Sequence, residues 1–71
     1  MTNKEFVKSI YPYSKCTMSN INFGHYYIDL QCWDMYRSRY DCKLTYSRSA
    51  RKSWENAGNL IKRIMVEKLE S

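Results

Sequence analysis

A chain of 71 residues with a formal net charge of +5 holds one domain at most, and a domain of that size buries only about 60% of the surface its unfolded chain exposes. Hydrophobic residues make up 44% and aromatics 15%, with seven tyrosines but two glycines and one proline, which argues for a folded chain and against disorder. The longest aliphatic or sulfur-containing run, Ile64-Met65-Val66, is far short of the ~20 apolar residues of a membrane span, and the start MTNKEFVKSIYP lacks a signal peptide's apolar block. The expectation is a cytoplasmic protein with no membrane role.

Thr2 and Glu5 stand at capping-box spacing, and Phe6, Val7 and Ile10 lie beyond them on one side of a helix that Pro12 ends. This predicts a short helix over roughly Asn3 to Tyr11. From Tyr13 to Ile21 the sequence is polar, and Cys16 and Met18 alternate with Thr17 and Ser19 as in a strand or an extended loop. From His25 to Trp33, Tyr26, Ile28, Leu30 and Cys32 occupy even positions, and Tyr27, Asp29, Gln31 and Trp33 odd ones, the pattern of a half-buried strand.

Arg39 to Tyr46 repeats that alternation, with Tyr40, Cys42, Leu44 and Tyr46 against Arg39, Asp41, Lys43 and Thr45. The two runs read as a hairpin. Both apolar sets are even-numbered, so an antiparallel pairing needs an odd-length connection around Tyr36-Arg37-Ser38, with Cys32 opposite Cys42 and Leu30 opposite Leu44. In the last segment Ala50, Trp54, Ala57, Ile61, Ile64 and Met65, widened by Leu60, share one arc of a long amphipathic helix. Ser47 or Ser49 caps it, Trp54 anchors it to the sheet, and Arg51 with Glu55 and Arg63 with Glu67 have surface-pair spacing.

The predicted class is α+β in a single compact domain, 1–71. It has a short N-terminal helix, a two- or three-stranded antiparallel sheet and the long C-terminal helix on one face, in the order α-β-β-β-α.

Cys16, Cys32 and Cys42 are odd in number and none sits in a C-x-x-C pair, which speaks against a disulfide framework. With His25 they lack the short chelate loop of a structural zinc site, so no metal and no cofactor is expected.

The charge is local. Arg37, Arg39, Lys43, Arg48, Arg51 and Lys52 stand against one acid, Asp41, whereas the rest of the chain is neutral. Bases near a helix N-terminus cost ~0.3 to 1 kcal/mol each against the helix dipole unless an anion sits among them. These six are the candidate nucleic-acid-binding residues, and Tyr27, Trp33 and Tyr36 are candidate aromatic contacts for stacking on bases. Solvated charge and a packed tryptophan are the plain structural alternatives.

The helix-strands-helix order, the Gly24-His25 turn and the basic Arg51-Lys52 start of the last helix are similar to the double-stranded-RNA-binding domain. The chain departs from it in lacking a proline ahead of His25 and in carrying Trp54 where that family has a small residue. Small mRNA-cleaving toxins share the order and use a histidine near the same turn, but no acid-base partner for His25 is evident from spacing, so no enzyme is expected. Two readings remain. One is a small non-enzymatic module that binds nucleic-acid phosphate. The other is a small inhibitor or adaptor, of the kind phages and mobile elements encode, that binds a host protein such as a nucleic-acid-processing complex with Tyr27, Trp33, Tyr36 and Arg37.

Overall fold

A computed structural model describes residues 2–21, 24–31 and 35–70. Helix α1 spans Asn3–Ile10, strands β1 and β2 span Lys15–Met18 and Tyr26–Asp29, and helices α2 and α3 span Met35–Leu44 and Ala50–Glu70. The class is α+β, with a short N-terminal helix, a two-stranded antiparallel sheet and a long C-terminal helix packed on the sheet. Among the described residues no helix is long and apolar enough to cross a membrane.

Helix α1 starts with both limbs of the capping box. The Glu5 N–H donates to Thr2 Oγ1 and the Thr2 N–H to Glu5 Oε2, each at 3.2 Å. Its end is closed by the Tyr11 N–H on the Val7 carbonyl at 2.8 Å, and Lys8 Nζ reaches forward to the Ser14 carbonyl at 2.9 Å. Pro12 comes directly after, as a residue that cannot continue the ladder.

The sheet pairs β1 with β2 antiparallel, Cys16 opposite Ile28 and Met18 opposite Tyr26. The partner of the Tyr26 strand is therefore the preceding segment. Arg39–Tyr46, read from its alternation as the second hairpin strand, lies mostly in helix α2, so the order is α-β-β-α-α and Leu44 does not pair with Leu30. Cys32, the expected neighbour of Cys42, is outside the described residues, and Cys42 itself is on the helix.

The physical reason shows in the burial. Asp41 and Thr45, read as outward, are 3% and 0% exposed, whereas Leu44, read as inward, is 43% exposed. Inward positions four apart are helical spacing. The interior here uses polar side chains for hydrogen bonds. Thr45 Oγ1 accepts the Ile28 N–H at 2.9 Å and donates to the Cys42 carbonyl at 2.7 Å. A hydrophobic pattern cannot announce a face built on such groups.

The open edge of β2 is sealed by the short connection between α2 and α3. Tyr26 and Ser47 exchange backbone hydrogen bonds at 2.6 and 3.0 Å, and Ser53 Oγ adds a bond to the Tyr26 carbonyl at 2.9 Å. This single bridge is all that the third-strand position contributes to pairing among the described residues. The core joins Val7 of α1, Ile28 and Leu30, and Trp54, Ala57 and Ile61 of α3, with Phe6, Ile10, Tyr11 and Cys16 packed around it. Trp54 is 8% exposed, and Lys4 Nζ lies 5.9 Å from its ring centroid.

Met65, expected on the buried arc of α3, is instead 46% exposed; Val66 and Leu69, which that arc does not include, are 51% and 87% exposed. Gly58, buried in the middle of α3, lets α1 come close: a Cβ there would stand 3.3 Å from Asn3 Oδ1 and 3.6 Å from Phe6 Cδ1.

Candidate nucleic-acid interface

The segment from α2 into α3 concentrates exposed positive charge. Arg39 and Lys43 are four apart on α2 and both exposed, so they share one face of that helix. Lys43 sits in its last turn, where a cation is favourable to the helix dipole. Arg48 is exposed in the connection, and Arg51 and Lys52 are exposed in the first turn of α3, which contains no acidic residue.

The start of α3 is fixed by serines. Ser49 Oγ accepts the Lys52 N–H at 3.4 Å, the geometry of an N-cap, and Ser47 Oγ accepts the Ser49 N–H at 3.3 Å. The bridge from Ser47 to Tyr26 ties this turn to the sheet, so the bases on either side are carried by an anchored backbone.

Asp41, the one acid of the basic window, is 3% exposed and so does not share the outer surface with the bases. Lys52 pairs with Glu55 at 3.1 Å. Arg39, Lys43, Arg48 and Arg51 form no ion pair among the described residues. The surface pair of this turn is thus Lys52 with Glu55 at a spacing of three, instead of the expected Arg51 with Glu55, and Arg63 and Glu67 likewise make no pair among the described residues.

Arg37 and Tyr36 belong to α2, although their side-chain placements, like Trp33 as a whole, lie outside the described residues. Tyr27 is half-buried, with its ring edge-on to Tyr46 at 5.4 Å between centroids and 84° between planes. Burial raises the Tyr27 phenol above its ordinary pKa, helped by Cys42, Asp29 and Tyr46 and opposed by a hydrogen bond with Thr17. Burial likewise raises the Cys16 thiol, against the opposing charge of Lys4. Neither shift marks an activated nucleophile.

Lys4 is the residue that the sequence pattern did not single out. An open cleft of about 550 Å³ is lined by Thr2, Asn3, Lys4, Arg51 and Trp54, which brings the first turn of α1 beside the basic start of α3. No spacing rule connects residues so far apart in the chain.

His25 is half-buried and its Nδ1 has no hydrogen-bond partner among the described residues. Among those residues no group of three or more His, Cys, Asp or Glu side chains is placed to hold a metal ion. The further strand expected over Arg39 to Tyr46 is replaced by α2, so the helix-strands-helix order shared with the double-stranded-RNA-binding domain is interrupted there. Comparison with protein-family models, with curated proteins and with solved structures finds no match to this chain.

Proposed function

We propose that the protein is a small non-enzymatic module that binds nucleic-acid phosphate through Arg39, Lys43, Arg48, Arg51 and Lys52, with Arg37 on the same helix as Arg39 and Lys43. The observation that carries this reading is the orientation of charge: Arg39, Lys43, Arg48, Arg51 and Lys52 are exposed while the one acid of the window, Asp41, is buried. Exposed cations on an anchored helix start, of which Lys52 alone has a salt-bridged acid, Glu55, among the described residues, suit a polyanion, since each neutralised phosphate releases condensed counterions. Such contacts position the protein on a backbone without reading sequence. The half-buried Tyr27, paired with Tyr46, leaves base stacking to Trp33 or Tyr36 in this proposal.

The experiment is fluorescence anisotropy with labelled RNA and DNA duplexes at low salt, comparing the wild type with the combined variant Arg48→Gln, Arg51→Gln, Lys52→Gln. The variant is expected to keep its fold and to lose affinity by a similar factor on every sequence. Equal binding by the two proteins would remove the basis of the proposal.

A protein partner is the second reading, and it has an observation of its own. Met65, Val66 and Leu69 are 46%, 51% and 87% exposed on the last turns of α3, and exposed apolar groups on one helix end suit a protein surface better than a polyanion. Capture of a stoichiometric protein that survives nuclease treatment would favour this reading.

A further inference from the structure

The two edges of the sheet are treated differently. Tyr26 directs its N–H and C=O to Ser47, and Ile28 directs its N–H to Thr45 Oγ1, so the β2 edge is closed. The same bonds fix the phase of the ladder. Because Tyr26 and Ile28 point away from β1, the bonded pairs are Lys15 with Asp29 and Thr17 with Tyr27, and the Ser19 N–H on the His25 carbonyl at 2.8 Å continues that series.

Cys16 and Met18 must then direct their own N–H and C=O groups outward, and among the described residues these groups have no hydrogen-bond partner. An unpaired strand edge is a template for another strand. Met18 is 55% exposed and Ile21 85% exposed beside it.

We infer that β1 pairs antiparallel with β1 of a second copy of this chain, about a two-fold axis at Thr17, to give a continuous four-stranded sheet. The edge is self-complementary in that register. Cys16 meets Met18 of the second copy and exchanges both backbone bonds with it, and the same pair recurs across the axis, so every outward group is satisfied. The exposed Met18 gains an apolar neighbour. Lys15, an edge cation that would oppose itself in the register centred on it, faces Ser19 of the second copy instead.

The new contact lies on the edge opposite Ser47 and the start of α3, so it leaves the basic residues accessible and stands independently of the proposed nucleic-acid binding.

The test uses the full chain. Multi-angle light scattering over a dilution series is expected to show wild type passing from twice the monomer mass to the monomer mass. Met18→Pro removes an outward N–H and no bond within the chain. It should melt cooperatively and stay at the monomer mass. Thr17→Cys puts two thiols at the closely spaced non-bonded pair of the axis, within disulfide reach. On mild oxidation it should give a peptide joined to itself at that position, faster than Asn59→Cys on exposed α3. If Met18→Pro fails to fold, the cross-link decides. A wild type that is monomeric at every concentration, which would leave the edge to some other protein's strand, overturns the inference. So does cross-linking of Thr17→Cys no faster than the Asn59→Cys control.

Discussion

Thr45→Val separates the observed fold from the hairpin that the alternation suggests. In a hairpin Thr45 would lie on the outer face, and valine there would change little. In the structure Thr45 is 0% exposed and its hydroxyl holds two backbone groups, the Ile28 N–H at 2.9 Å and the Cys42 carbonyl at 2.7 Å. Valine has nearly the same shape, so packing survives while both partners lose their bond. A buried backbone group left unsatisfied costs roughly 1 to 3 kcal/mol. Some of that is recovered where the Cys42 carbonyl reaches water, so a loss of about 2 to 3 kcal/mol is expected in all. Against a total stability of roughly 4 to 11 kcal/mol for a chain this size, that is a large fraction. Urea denaturation measures it as a shift in midpoint at constant slope. Thr45→Ser keeps the hydroxyl and should lose only about 1 kcal/mol for the missing methyl. Amide exchange at Ile28 should quicken in Thr45→Val alone. A Thr45→Val protein as stable as wild type would refute the reasoning about α2 and the sealed edge.

Trp54→Ala, at the centre of the core, should cost about 3 to 5 kcal/mol and abolish cooperative melting near the wild-type temperature. Gly58→Ala should raise stability in urea by about 0.5 to 1 kcal/mol, because helix propensity improves and the tight contact at 3.3 Å is with the end of the Asn3 side chain, which can move aside; a destabilised variant would show that Asn3 is fixed. The Cys16 and Tyr27 pKa values are raised by burial, so both groups favour the folded state while protonated. Their contribution is whole below the unfolded values and is lost as pH rises through the folded ones. Thermal melts should therefore fall across the alkaline range, and Cys16→Ala should flatten the part of that fall that the thiol contributes.

The elements that pattern reasoning recovers are those whose signals are local and redundant. Thr2 and Glu5 mark the start of α1 and Pro12 its end, and Trp54, Ala57, Ile61 and Ile64 mark α3 through consistent burial along one face. Even parity does hold in the sheet, since Cys16 faces Ile28 and Met18 faces Tyr26. The partner strand is a different one from the strand that parity suggests. Tyr40, Cys42, Leu44 and Tyr46 alternate as cleanly as a strand, while α2 and the residue after it bury Asp41 and Thr45. Thr45 owes its place to hydrogen bonds, which a hydropathy pattern does not register.

The basic window is legible as composition, because six bases and one acid fall between Arg37 and Lys52. Its arrangement is not. The charge is carried by a helix and a capped turn instead of a hairpin face, and the burial of Asp41 and the cleft that Lys4 and Arg51 both line arise only from tertiary packing.

The central claim, that the exposed bases around the start of α3 grip phosphate, is tested most directly by the salt dependence of duplex binding. In a plot of log affinity against log salt concentration, each phosphate neutralised contributes a slope of about −0.9. The variant with Arg48, Arg51 and Lys52 all changed to Gln should therefore flatten the slope by roughly 3, equally for RNA and DNA of any sequence. Its unfolding midpoint should be equal to or slightly above wild type, since bases that oppose the helix dipole are gone. An unchanged slope with unchanged affinity would contradict the account and leave the start of α3 as a serine-capped helix with a solvated basic face.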